Sequence, residues 1–447
     1  MKKILLFVQI ALTGAAILLA PGCWKDEDPI ASAVDYDAHL AVDWFKLSTR
    51  LTRMTPGFSP PVAARAFGYT GVTLYEAIAS GSPRYRSLQG QLEAFPLGTL
   101  PMPENRQEYH WGLVANAAVA HIVRELYRNT SAENQQSITW LEERYRQQFA
   151  AAVPAEVETR SIAYGLAIGA AMQEYAASDG QDRAYENNFP SSYVPPAGPG
   201  LWVPTPPDFL GALQPYWGEV RPFLAINIAS TQPPTPPAFS TDPLSIFFAQ
   251  SLEVYAVTTN LTAEEKIIAE YWSDDPGLTA TPPGHSISIL IQVLEKENVR
   301  LGRAAEAFAK VGIAVHDAFI SCWKCKYDFN VLRPITYIQA NIDPGYATLL
   351  TTPPFPEYTS GHSVQSGATA RVLSDLFGYN YAFTDRTHEA RTDINGQPRS
   401  FSSFYEMGHE AAISRLYGGI HYRFGIELGV EQGHQIGRNI SNLNFRQ

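Results

Sequence analysis

Prolines crowd one stretch of this chain and thin out on either side of it, and that division limits the folds open to the rest. Between Gly180 and Pro243 stand Pro195-Pro196, Pro206-Pro207, Pro233-Pro234 and Pro236-Pro237, interleaved with Tyr193, Trp202, Tyr216, Trp217 and Phe223. Proline lacks a backbone N–H and clashes with the preceding turn, so this density excludes a long helix. The aromatics argue against a solvated tether, because such side chains need partners to bury them. The stretch is expected to be an ordered strap, residues 181–243, laid on a helical body.

Helical signals fill both flanks. Asp35 to Thr55 has amphipathic spacing, and Pro60-Pro61 after Ser59 marks a start leading into Val62 to Ala79. Thr130 with Glu133 has the spacing of a capping box before a helix to about Ala151, and Pro154 opens another to about Ala177. After the strap the pattern predicts helices from Asp242 to Thr258, after a second capping box at Thr262 and Glu265, from Ser286 to Glu297, and from Leu301 to about Lys324. Three more are expected at Ser360 to Phe377, Phe404 to Tyr417 and Phe424 to Ile440. Sustained strand alternation is absent. The expected fold is all-α: an N-terminal helical bundle (34–180) and a C-terminal one (244–447), packed together and joined by the strap.

Lys and Arg total 33 against 44 Asp and Glu, a formal net charge of -11. So acidic a chain is a poor partner for nucleic acid or an anionic membrane surface, and an anion site must be a local positive pocket. Three segments offer one. Lys326 to Pro334 (KYDFNVLRP) carries two cations seven residues apart, on one face if the helix continues. Ser360-Gly361-His362 opens a predicted helix, whose free N–H groups favour an anion. Arg415 and His421 flank Gly418-Gly419, which can bend the chain so that both side chains converge. Each piece alone has an ordinary structural reading. Together they supply three cations, two imidazoles, a hydroxyl and a glycine amide, enough to neutralise a tetrahedral oxyanion and attack it.

Lys326-x6-Arg333-Pro334, Ser360-Gly361-His362 and Ser414-Arg415-x5-His421 resemble the signature of the vanadium haloperoxidase and type 2 phosphatidic acid phosphatase superfamily. From about Val34 onward, including the strap and Tyr271-Trp272-Ser273-Asp274-Asp275-Pro276, the chain looks like the bacterial haloperoxidases of that group. The resemblance implies a vanadate cofactor with oxyanion ligands Lys326, Arg333, Ser360, Gly361 and Arg415. It implies His421 as the residue bonded to the metal, His362 as the acid-base residue and Lys326 as a catalytic cation. Trp323 and Phe355 match apolar positions near the halide site. The second motif begins with Thr359 where the family usually has Pro. More consequentially, Gly425 stands where the family usually carries an Asp that orients the metal-bound histidine.

The expected activity is oxidation of halide, iodide or bromide rather than chloride, by hydrogen peroxide through a His-bound peroxovanadate. The alternative is an acid phosphatase acting on a phosphate monoester through a phosphohistidine at His421. A binder without turnover is the third reading. The start of the chain reads as an export leader: Lys2-Lys3, an apolar stretch from Ile4 to Ala20, then Ala20-Pro21-Gly22-Cys23. It implies a signal peptide over 1–22, lipid attachment at Cys23, a tether over 23–33, and an envelope lipoprotein or otherwise periplasmic or secreted protein. Cys322 and Cys325 lie on one helix face within disulfide reach. His316-Asp317 is expected as a buried hydrogen-bonded pair. His285 is placed at the pocket mouth, and His409-Glu410 is a candidate source of the acid missing at Gly425.

Overall fold

In the computed structural model, residues 32, 33 and 35–447 are described, and Ser32–Gln447 form one compact unit. The expected leader, Cys23 and all but the end of the tether lie outside the described residues. Five helices precede the strap: α1 (His39–Met54), α2 (Pro60–Ala79), α3 (Trp111–Leu126), α4 (Ala132–Ala150) and α5 (Ala155–Ala177). The strap contains only the short α6 (Ile226–Ala229) and two single 3-10 turns. After it come α7 (Ile246–Thr259), α8 (Ala263–Tyr271), α9 (Thr281–Glu297), α10 (Leu301–Phe329) and α11 (Pro334–Asn341). The chain ends with α12 (Gly361–Phe377), α13 (Phe404–Tyr417) and α14 (Arg423–Ser441). A short antiparallel pair, β1 (Phe383–Asp385) with β2 (Arg399–Phe401), joins α12 to α13. The fold is all-α, as expected.

The centre of the body is α10. Its 29 residues span about 44 Å, and nearly every side chain from Leu301 to Lys326 is buried. Against it lies α2, buried from Pro61 to Ala79. Small residues let the two axes approach: a Cβ at Gly71 would lie 2.5 Å from the Phe308 carbonyl oxygen. One apolar cluster runs from Trp44 and Tyr69 through Phe308 to Val364 and Phe404, so helices from before and after the strap share a core.

Most helix limits agree with the pattern. The Thr262–Glu265 capping box forms as expected. The Thr130–Glu133 box does not: Ser131 is the cap, its hydroxyl accepting from the Asn134 N–H. Thr281-Pro282-Pro283 begins α9 five residues before the expected start, because proline is compatible with a first helical turn.

The strap is anchored by Trp202, Trp217 and Phe223, all essentially buried. Asp317 fixes it further, accepting from the Phe223 and Leu224 N–H groups (2.8 and 3.0 Å) and from Asn227 (2.8 Å). Burial pushes the Asp317 carboxyl up to about 7, against the pull of those donors. His316 does not pair with it; neither ring nitrogen has a hydrogen-bond partner. Downstream, the strap pairs with the chain that forms the site. Trp202 N–H donates to the Asn330 carbonyl (2.7 Å), Leu332 N–H to Gly200 (3.0 Å), and Leu213 N–H to Pro354 (2.8 Å). No helix among the described residues is long and apolar enough to cross a membrane.

Candidate active site

Lys326 and Arg333 do not share a helix. The chain leaves α10 at Asn330, which is left-handed (φ +48°), and Arg333 caps α11, whose first residue is Pro334. The break, not helical periodicity, brings both cations to one place. Lys326 is fully buried, and its Nζ donates to the carbonyls of Pro356 (3.0 Å), Glu357 (2.9 Å) and Thr359 (2.5 Å). Arg333, also fully buried, donates from Nε to Phe355 (2.7 Å) and from Nη1 to Ile420 (2.7 Å). Its Nη1 also lies 3.2 Å from His421 Nε2. The two cations thus shape the 353–359 loop and pin it to the segment carrying His421.

That loop supplies the acid missing at position 425. Glu357 Oε1 lies 2.8 Å from His421 Nδ1 and also accepts from the Tyr422 N–H (3.2 Å). Gly425 makes room for it: a Cβ there would sit 2.3 Å from Glu357 Oε1 and 2.9 Å from Oε2. The carboxylate rests against the bare Cα where an Asp side chain would project. Glu410 does not play this part, since it receives Trp272 Nε1 (3.0 Å) and pairs with Arg399. Burial pushes Glu357 up to about 7, with Lys326 and Arg333 opposing. Burial, then Arg333, Lys326 and Arg415, hold His421 well below its ordinary range. The ring is therefore neutral, its Nδ1–H donating to Glu357 Oε1 and its lone pair left at Nε2.

Arg415 comes from the last turn of α13, and His362 from the first turn of α12. Arg415 donates to the Ala269 carbonyl (3.1 Å) and Ser414 Oγ (2.9 Å), and to no carboxylate among the described residues. His362 Nε2 is buried without a partner, and burial followed by Arg415 holds the ring well below its ordinary range. Gly361, His362, Arg415 and His421 line one cavity of about 670 Å³, with Trp323 and Phe355 on the same wall, their rings 4.9 Å apart. Lys326, Arg333 and Ser360 stand behind that wall; the Ser360 hydroxyl caps α12 by accepting from Ser363 N–H. His285, expected at the mouth, is instead buried behind the site. Cys322 and Cys325 are free thiols bonded to the Thr359 carbonyl and to Gln232, with no disulfide between them.

The charge balance of this region calls for an anion. Three buried cations, Lys326, Arg333 and Arg415, outnumber the two buried carboxylates near them, Glu357 and Asp274, and burial pulls Lys326 down to about 8 and Arg333 and Arg415 to about 10. Uncompensated charge in a low-dielectric interior is costly until a counter-charge arrives. A tetrahedral oxyanion bonded to His421 Nε2 meets that requirement. His421 was legible from sequence. Glu357 was not, although a single acid inside Phe355-Pro356-Glu357-Tyr358, just before the Ser-Gly-His turn, was a usable signal.

Comparison with known proteins gives a consistent picture. Residues 306–446 match the model of the VCPO second helical-bundle domain. The chain is 34% identical to a bacterial vanadium-dependent iodoperoxidase of known crystal structure, covering 92% of this chain and 98% of that one, with a TM-score of 0.82. A holo-type bacterial vanadium-dependent chloroperoxidase shares the fold (TM-score 0.67, 15% identity, 92% and 98% coverage). The vanadium chloroperoxidase of Curvularia inaequalis is 27% identical over 34% of this chain, and the match spans 35% of that protein's length.

Proposed function

Because this chain belongs to the vanadium-dependent haloperoxidase family, we propose that it uses hydrogen peroxide to oxidise halide at a vanadate centre on His421. Iodide or bromide is preferred to chloride. The observation that carries this reading is the group of buried cations around a neutral histidine whose far nitrogen is held by Glu357. The donor set suits vanadate: one imidazole nitrogen, the Arg333 and Arg415 guanidiniums, the Ser360 hydroxyl and the Gly361 amide. Bound vanadate supplies a Lewis-acid centre that activates peroxide without changing its own oxidation state.

The protein's own groups do the rest. Glu357 keeps the Nδ1 proton of His421 in place, leaving Nε2 as the ligand nitrogen and raising its basicity. Arg333 and Arg415 neutralise the oxyanion. Lys326 contributes its positive charge from behind the wall, since its three N–H groups already hold the 356–359 carbonyls. His362, neutral and with its Nε2 unpartnered, takes a proton from peroxide and later returns it to the departing oxygen. The net reaction converts hydrogen peroxide, halide and a proton to hypohalous acid and water. Trp323 and Phe355 give the anion an apolar approach, which costs a large, weakly hydrated halide least. The relative with 34% identity is described as an iodoperoxidase, which supports the same order.

The test is reconstitution. Protein stripped of vanadium should oxidise no halide with peroxide, and added vanadate should restore turnover saturably, fastest with iodide. Halide oxidation that persists without vanadate would refute the proposal. Hydrolysis of a chromogenic phosphate ester by the stripped protein would favour a phosphatase instead. Glu357→Gln should weaken vanadate binding or turnover about 10–100-fold, measured by titrating vanadate into the variant. A wild-type response would mean that Glu357 does not orient His421.

A further inference from the structure

A group of buried ionisable side chains outside the anion site, Asp274, His285, His388 and Asp385, lies immediately behind it. Asp274, 1% exposed, occupies a left-handed turn (φ +51°) between α8 and α9. Both carboxylate oxygens are engaged: Oδ2 lies 2.9 Å from His285 Nδ1, and Oδ1 lies 3.1 Å from His388 Nε2. The other nitrogen of His285 lies 2.7 Å from Asp385 Oδ2, which also accepts from the Tyr271 hydroxyl (2.9 Å). The Trp272 indole stacks on His285 at 4.4 Å between ring centroids.

An imidazole that faces a carboxylate from each nitrogen donates from both, so His285 is an imidazolium. Burial would lower its pKa, but the two carboxylates lift it to about 10. His285 in turn holds Asp274 and Asp385 low, against the upward pull of burial. Asp274 also lines the large cavity, and its charge reaches both Arg415 and His362. A carboxylate free to move there has a strong partner in the Arg415 guanidinium, which pairs with carboxylates through a two-pronged hydrogen bond. Yet Arg415 makes no ion pair with it, and its hydrogen bonds go to Ala269 and Ser414.

We infer that His285, assisted by His388, withholds the Asp274 carboxylate from Arg415 and so keeps that guanidinium free to bind the oxyanion. His285 is a positioning residue that acts through Asp274 and never touches the anion. The inference rests on the reading of Arg415 as an oxyanion ligand. Asp274, His285 and His388 also place three donor atoms within 4.8 Å of one another, the span of a metal site. The 2.9 and 3.1 Å separations and the two-sided pairing of His285 are those of hydrogen bonds.

The test is calorimetric titration of inorganic phosphate and of vanadate into stripped, full-length protein. Wild type is compared with His285→Gln, Asp274→Asn, the double variant and Arg415→Ala. His285→Gln should weaken both oxyanions about 10–100-fold, the worth of one hydrogen bond to a charged group. Asp274→Asn should bind at least as tightly as wild type, and the double variant should return to within a few-fold of it. A double variant as weak as His285→Gln, or His285→Gln with wild-type affinity, overturns the inference. Should His285→Gln fail to give a cooperative thermal transition, His388→Asn replaces it, with the same expectation and the same refutation. Unchanged affinity in Arg415→Ala refutes the reading of the anion site and the inference with it, whereas a weak Arg415→Ala beside an unaffected His285→Gln refutes the inference alone. Stoichiometric zinc in the purified wild type also overturns it, because a metal would then hold Asp274.

Discussion

His421→Ala is expected to abolish vanadate-dependent halide oxidation, a loss beyond the roughly 10–100-fold that removing an orienting partner of a metal ligand costs. Among the described residues near the cavity, His421 is the imidazole with a carboxylate on one nitrogen and its lone pair on the other. Arginine and lysine side chains neutralise an anion but cannot form that bond. The variant should also lose stability, because Glu357 would keep only the Tyr422 N–H (3.2 Å) among its present donors. A buried acceptor left short of partners costs about 1–3 kcal/mol, so a lower melting temperature should accompany the loss. The measurement is vanadate affinity and halide turnover on protein shown by its melting curve to be folded. Retained vanadate-dependent turnover would place the reaction elsewhere.

The sequence disclosed the parts of this site that are local and hid those that are not. Phe404 to Tyr417 is readable to the residue, because the Gly418-Gly419 pair that ends it is a local signal. Lys326 and Arg333 stand out in the sequence, but the condition for their sharing a helix face, that the helix continues, is not met. Seven residues suggest two helical turns, whereas α10 ends at Phe329, Asn330 turns the chain, and Pro334 starts a new helix directly after Arg333. Proline at 334 did announce the second half of that break.

Glu357 shows a different limit. It lies 64 residues before its partner, and no pattern along the chain links two positions that meet only after folding. What the sequence showed was its complement, a glycine where a carboxylate was expected. Glu410 is a candidate for that role by its place in the sequence, yet tertiary packing turns it toward Arg399 and Trp272. His285 was misplaced for a related reason. It follows Pro282-Pro283-Gly284, and those residues form the buried first turn of α9 and carry His285 inward.

His362→Ala is expected to reduce kcat and kcat/KM for peroxide by about 10²–10⁴-fold, the range for losing a positioned acid-base group, while vanadate still binds. The contrast with His421 follows from their partners. His362 lines the cavity and its Nε2 has no hydrogen-bond partner, so truncation should cost little stability and leave the Glu357–His421 pair intact. Its neutral state, enforced first by burial and then by Arg415, is the form that accepts a proton. A residue that only filled space would change peroxide kinetics little. One that only held the anion would weaken vanadate affinity in step with rate. Steady-state kinetics at saturating vanadate, beside an equilibrium vanadate titration, separates these cases. A parallel fall in affinity and rate would make His362 an anion ligand, and the proton would then have to be carried by another group.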